Sequence, residues 1–578
     1  MRSKRLESVF GVCAALSLVA SLAACGGGGG GGSSNGSTTT NNGVSGPTNM
    51  LPPVTTTPTT DGKLHAACSN CGATDDSTYA GSGVGLWQAL NASAQADPVN
   101  VSIKGATGHD VTLVFTNEGS NQALPALPIS ASVESPSADA LAAVAKAALS
   151  PVSVGDDPHM KAVRDFNTDG WKALVKNQPA AASAPSADVA RAVQRTMLTY
   201  NIGDPRDFWL ADGSKRHMTL QATGATSDGT KVNVWVEATE YGTGKITPDI
   251  VGTLLQNYAG KGGVYDMVTS VGGPFWGTVS TAGMIAAGQP MDLVVANFNN
   301  DSQPYGTVGY FWALNNFVNQ GTGVTYFSNS DLSLYLDSET LYLAGKAGMT
   351  TMQTVMAHES THMQNFYRRG MLMGPQYSFE SWLEETSAMM MEDWVSLNID
   401  STYNSVRDDR FRAYLTYNGH GSYTCGLTTW DPMDTACDSY TTNGSFGGFL
   451  NRQLGLSFYR NLLNDRKATA SLDILNDAIK QTRPDSSVTQ ELRHFTVAAS
   501  AQVPLAANMT QYAFPSRAEG GFTLPSIDPS KLTRDLPSAS PGILFGYASL
   551  PVVRTHVASN YQETVTLPPG VTLSVIVQ

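Results

Sequence analysis

The chain has 578 residues, 41% hydrophobic and 14% charged, with a formal net charge of −13. That length calls for several folding units and supplies apolar side chains for a large core. The acidic balance argues against a nucleic-acid binder, which normally shows a basic patch, so no nucleic-acid partner is expected.

Arg2, Lys4 and Arg5 precede an apolar run from Val9 to Ala20, and residues 1–24 read as a secretory signal. The run is too short to span a membrane. Leu22-Ala23-Ala24-Cys25 resembles a bacterial lipoprotein box. Cys25 is therefore expected to carry lipid and to begin the mature protein. The address is then the outer membrane or cell surface of a Gram-negative host, with membrane contact through the lipid anchor only. The alternative is an ordinary signal peptide that releases a soluble, secreted protein. The glycines Gly26 to Gly32 and a Ser/Thr/Asn/Pro tract make residues 25–62 a flexible tether.

Residues 63–134 carry short apolar runs, Val99 to Ile103 and Val111 to Phe115, and read as an N-terminal β domain. Residues 135–199 are Ala-rich and read as a linking region, with helices expected over Ala138–Leu149 and Met160–Lys176. Within 200–502, Lys231 to Val236 and Asp292 to Phe298 read as strands. Helical spacing dominates Thr350 to Leu397 and Phe446 to Ile479. Residues 503–578 return to β runs ending in Val571 to Val577, a second β module. Strands followed by helices point to an α+β class rather than a doubly wound sheet. Cys68, Cys71, Cys425 and Cys437 remain after export and lipidation, which leaves two disulfides in one of three pairings. The local pairs, Cys68 with Cys71 and Cys425 with Cys437, are preferred. A four-thiolate zinc site is the rival, disfavoured by the single CxxC unit.

His358-Glu359-Ser360-Thr361-His362 is an HExxH pattern. On a helix, i and i+4 share a face, so both imidazoles can address one Zn2+ ion. Glu359 then flanks the ion and serves as general base for a water attacking a polarised carbonyl. Thr350 with Gln353, and Ser381 with Glu384, read as capping boxes for two helices, and Gly370 as the terminator of the first. The second helix is too apolar to lie at the surface, so a carboxylate near its buried start needs a partner. The ion supplies one.

HExxH followed by Trp382-Leu383-Glu384-Glu385 is similar to the gluzincin metallopeptidases, and most to the hyicolysin family of secreted bacterial enzymes. The similarity spans roughly residues 200–500, from Asp207-Phe208-Trp209-Leu210 onward, with Thr386 standing where many relatives have Gly. The resemblance implies a gluzincin-like domain with two active-site helices, flanked by the small β modules. It makes Glu385 the third zinc ligand and leaves Glu384 as a helix cap. It also places Glu392 two turns on, to accept from the free N–H of a zinc histidine. Tyr440, Leu450 and Gly455 match the spacing around an oxyanion-stabilising tyrosine, although Asn443 replaces a family glycine; His420 is the alternative donor. The implied activity is zinc-dependent hydrolysis of peptide or protein substrates. No Gly-x-Met-Glu-Asn segment precedes His358, which favours an endopeptidase. Competing readings are a non-catalytic adhesin or substrate-binding lipoprotein on a peptidase fold, and a zinc hydrolase of other substrates.

Overall fold

The computed structural model describes residues 58–69, 71–125, 127, 157–176, 199–507 and 509–578. The signal, Cys25, most of the tether and the helix expected over Ala138–Leu149 lie outside these residues. In chain order the principal elements are β1 (Gly85–Leu90), β2 (Asp97–Ile103), β3 (Val111–Asn117), α1 (Pro158–Asp165) and α2 (Trp171–Lys176). Then come β4 (Pro205–Trp209), β5 (Lys215–Ala225), β6 (Lys231–Glu237), β7 (Met291–Ala296), β8 (Gly309–Phe311) and β9 (Leu332–Asp337). Four long helices follow: α3 (Gly345–Asn365), α4 (Ser381–Ile399), α5 (Ser439–Asn464) and α6 (Val488–Ser500). The chain closes on β10 (Ser549–Arg554), β11 (Tyr561–Leu567) and β12 (Val571–Val577).

Six of these strands form one mixed sheet in the order β8-β9-β7-β6-β5-β4. β6, β7 and β9 run parallel, and β8 is an antiparallel edge. Alternation decides what each face meets. Val232, Val234 and Val236 of β6 enter the main core with the helices, while Trp235 packs on the opposite face with Phe208, Met218 and Tyr335. Both faces are covered, so β6 is buried from Val232 to Glu237.

The two β modules expected at the ends are one domain. β12 inserts between β1 and β3, and β10 pairs with β3 on the far side. β2 and β11 pair as a second layer. Val571, Leu573, Val575 and Val577 of β12 join Trp87, Val101, Phe115 and Val565 in the sandwich core. Ile576 and Val114 point the other way and join the main core. There Thr116 hydrogen-bonds Thr496 of α6 at 2.8 Å, and Arg493 pairs with Glu118 at 2.5 Å. Local periodicity cannot reveal pairing between chain ends, which is why the sequence reading divided this domain.

Several helix boundaries also move. α3 starts at Gly345, so Thr350 lies inside it and caps nothing. It continues as a π-turn over Phe366–Met373 and stops at Gly374 (φ 121°), beyond Gly370. Gly370 has a different use: a Cβ there would lie 3.0 Å from Cζ2 of Trp171. α4 does start at Ser381, but without a capping box. Ser381 Oγ meets Thr168 instead, at 3.1 Å. α4 and α5 are locked by a fully buried ion pair, Asp393 with Arg452 at 2.8 Å, and by Trp394 Nε1 donating to Asn451 at 2.9 Å. α5 breaks at Gly455, whose φ of 81° an L side chain would resist. Met160–Lys176 is helical as expected, with a π-turn between α1 and α2, and it packs closely through the buried Trp171. Among the described residues, no helix is long and apolar enough to cross a membrane.

Candidate metal centre

α3 carries His358, Glu359 and His362 on its buried face, and α4 presents Glu385 opposite them. One donor atom from each of His358, His362 and Glu385 lies within 4.8 Å of the others. The side chains are 9%, 11% and 5% exposed. The imidazole rings stand 4.6 Å apart at 78°, as expected for i and i+4 neighbours.

The outer hydrogen bonds decide what those donors can do. His358 Nδ1 lies 2.6 Å from Glu392 Oε1, and His362 Nδ1 lies 3.0 Å from Glu384 Oε1. Each Nδ1 donates to its carboxylate, which leaves Nε2 as the lone-pair nitrogen. Both Nε2 atoms then face Glu385 Oε2, at 3.1 Å and 3.7 Å. Two lone pairs and a carboxylate oxygen cannot converge in a buried space without a positive charge between them. Protons can supply it, and so can a divalent cation. The donor set, two imidazoles and one carboxylate, fits zinc.

The electrostatics follow the same pattern. Burial disfavours charge on His358, but hydrogen bonds to Glu385 and Glu392 outweigh it and push its pKa up to about 9. Burial likewise works against a charged His362, and Glu385 and Glu384 overcome it. Burial would raise Glu385, yet the two histidines hold it far below the carboxylate range. Glu359 differs. Burial lifts it above its ordinary value and the neighbouring histidines only partly offset this. Its Oε2 accepts the backbone N–H of Phe311 at 2.8 Å, which fixes the carboxylate against edge strand β8.

The structure revises Glu384. It is the acceptor for His362 and for Asn365 Nδ2 at 3.0 Å, not a helix cap. Asn365 is held in turn by Ser387 Oγ at 2.9 Å. Glu392 is buried beside His358, with Arg410 Nη2 3.5 Å from both its oxygens. The same guanidinium lies 5.3 Å over the Tyr440 ring. Tyr440, in the first turn of α5, is half-buried with Trp430 edge-on at 4.9 Å. Among the described residues its hydroxyl has no hydrogen-bond partner. Burial, then Glu385 and Glu359, keep that hydroxyl protonated far above its usual pKa. His420 faces elsewhere: its contacts are Gly421 O at 2.7 Å and the Tyr417 ring.

Cys425 is paired with Cys437, and Cys68 with Cys71, at Cα separations of 5.4 and 5.8 Å. The first bridge closes the loop that carries Trp430. Sequence reasoning missed Asn365, Arg410 and the Phe311 N–H. Asn365 was within reach, one turn past His362 on the same helix face. Arg410 and Phe311 reach the centre only through tertiary packing.

Residues 66–129 match a family model described as a domain of unknown function, DUF8571. No curated protein matches the chain. The Peptidase M30 model matches residues 212–578, a span holding both helices of the centre and the last strands of the sandwich. A match of that extent, with a buried His-His-Glu cluster inside it, makes the chain a member of the peptidase M30 family and therefore a metal-dependent protease.

Proposed function

We propose that the chain is a zinc metalloendopeptidase with one ion held by His358, His362 and Glu385, and with Glu359 as general base. The observation that carries this reading is the convergence of both Nε2 atoms on Glu385 Oε2. When bound, zinc supplies Lewis-acid polarisation of a peptide carbonyl and makes a nearby water acidic. Glu359 takes the proton from that water and passes it to the leaving amine. The Phe311 N–H anchors one oxygen of Glu359 at 2.8 Å and so fixes the carboxylate beside the two histidines. Tyr440 donates its hydroxyl to the developing oxyanion. Glu392 and Glu384 hold the two imidazoles in the ligating tautomer. The sequence supports the endopeptidase reading, because the amine-gripping Gly-x-Met-Glu-Asn segment is missing before His358.

Glu359→Gln is expected to keep its zinc and lose nearly all casein hydrolysis, because an amide cannot accept the proton. Glu385→Ala is expected to lose zinc itself. Full activity in Glu359→Gln would refute the mechanism. The proposed address is a lipid-anchored, exported protein, from Leu22-Ala23-Ala24-Cys25 and the glycine tether after it. Mass spectrometry of the native N-terminus tests this, and an unmodified terminus at another residue sinks it.

A further inference from the structure

Residues 157–176 lie outside both matched regions, yet they sit against the metal centre. Asn167 Nδ2 donates to Phe311 O at 2.8 Å, and Asn167 Oδ1 accepts from Ala313 N at 2.8 Å. Thr168 reaches Ser381 at the start of α4. The Trp171 indole is fully buried, edge-on to Phe366 at 5.1 Å and against the backbone of Gly370. Asn167 and Trp171 line one small cavity with His362 and Glu384. Arg164 of α1 is among the charges that act on the Tyr440 hydroxyl. The segment thus touches the edge-strand region and both helices of the centre.

An extended peptide docks on an edge strand by pairing with its outward C=O and N–H groups. Phe311 O, on the last residue of β8, is such a group, and Ala313 N opens the 3-10 turn that follows; the amide of Asn167 already holds both. We propose that residues 157–176 occupy the substrate groove from within the chain and hold the peptidase shut, with Trp171 in the pocket beside His362 that receives a substrate side chain. This rests on the peptidase reading of the site. The other walls of that pocket are mixed, Phe311, Phe366 and Phe379 with Asn365, Arg369 and Ser378, so it suits a large side chain that can face both aromatic and polar groups. The tie consists of a few hydrogen bonds and one indole, between Ala-, Ser- and Pro-rich stretches of sequence. A substrate that pairs with β8 and fills the pocket can therefore displace it.

The test uses the full chain with Glu359→Gln, so that nothing is digested. A fluorescein-labelled peptide of residues 157–176 is titrated by anisotropy into this protein and into the same protein carrying Asn167→Ala and Trp171→Ala. The groove is filled in cis in the first and open in the second, so the second should bind at least about tenfold tighter. A labelled peptide with Trp171→Ala should bind the open form about tenfold more weakly. Equal binding to both proteins, or binding to neither, overturns the proposal. Asn167→Ala alone keeps the indole packing and should move affinity the same way by a smaller factor, which covers misfolding of the double variant. With Glu359 restored and zinc added, casein cleavage should rise alongside peptide binding. If the peptide binds as expected but no form cleaves casein, groove occupancy stands and the peptidase reading falls.

Discussion

Glu384 is the residue whose role the fold changed most, and its truncation tests the reading of the centre directly. In Glu384→Ala, His362 Nδ1 and Asn365 Nδ2 lose the acceptor that each holds at 3.0 Å. Asn365 keeps Ser387, so the main cost falls on the orientation and tautomer of His362. Removing such an outer partner costs roughly 10- to 100-fold in metal affinity. At 19% exposure, water can replace part of the lost acceptor, which places Glu384→Ala near tenfold, or about 1.4 kcal/mol. Glu392→Ala should sit near the other limit. Its carboxylate is 5% exposed, its contact with His358 is 2.6 Å, and its loss leaves Arg410 without its main counter-charge. Glu384→Gln, which can still accept from Nδ1, should fall between wild type and Glu384→Ala. The assay is zinc competition against a chromophoric chelator, with Glu359→Gln throughout. Wild-type zinc affinity in Glu384→Ala, together with loss of metal in Glu385→Ala, would refute the orienting role.

Truncation after Gly570 removes the strand that lies between β1 and β3. Val571, Leu573, Val575, Ile576 and Val577 are all buried, and at about 1.5–3 kcal/mol each their loss amounts to roughly 10 kcal/mol. Soluble yield and protease resistance should collapse, and a truncated chain that still unfolds cooperatively would contradict the shared sandwich. Acid sensitivity has a predicted source in Glu491. Burial alone would raise it, but the His494 hydrogen bond, the charges of His494 and Arg483, and Ser486 bring it down to about 2 from 4.5. Because the folded pKa is depressed, this stabilisation is complete above 4.5 and is lost as pH falls from there toward about 2. Glu491→Gln should lower the urea midpoint at neutral pH and flatten its decline across that acid window; an unchanged acid slope would argue against the assignment.

The sequence by itself carried the metal chemistry. His358, Glu359 and His362 share a helix, so a spacing of i and i+4 places them without tertiary information; the apolar second helix called for a partner to a carboxylate near its start, and the resemblance of Trp382-Leu383-Glu384-Glu385 to the gluzincin pattern chose Glu385. Strands such as Val571–Val577 were legible because a run buried on both faces is apolar throughout. What only the tertiary structure decided involves residues distant in the chain. The pairing of Leu573 with Phe115 merges two expected modules into one sandwich. The approach of α4 to α3 turns Glu384 from a cap into a partner of His362. The Phe311 N–H on Glu359 and Asn167 across Phe311 and Ala313 depend on where an edge strand and a separate segment come to rest. The physical reason is common to all of them. Helical period and apolar patterning are set by neighbours a few residues away, whereas the partner of a buried donor or acceptor is chosen by packing, which must leave none of them unpaired.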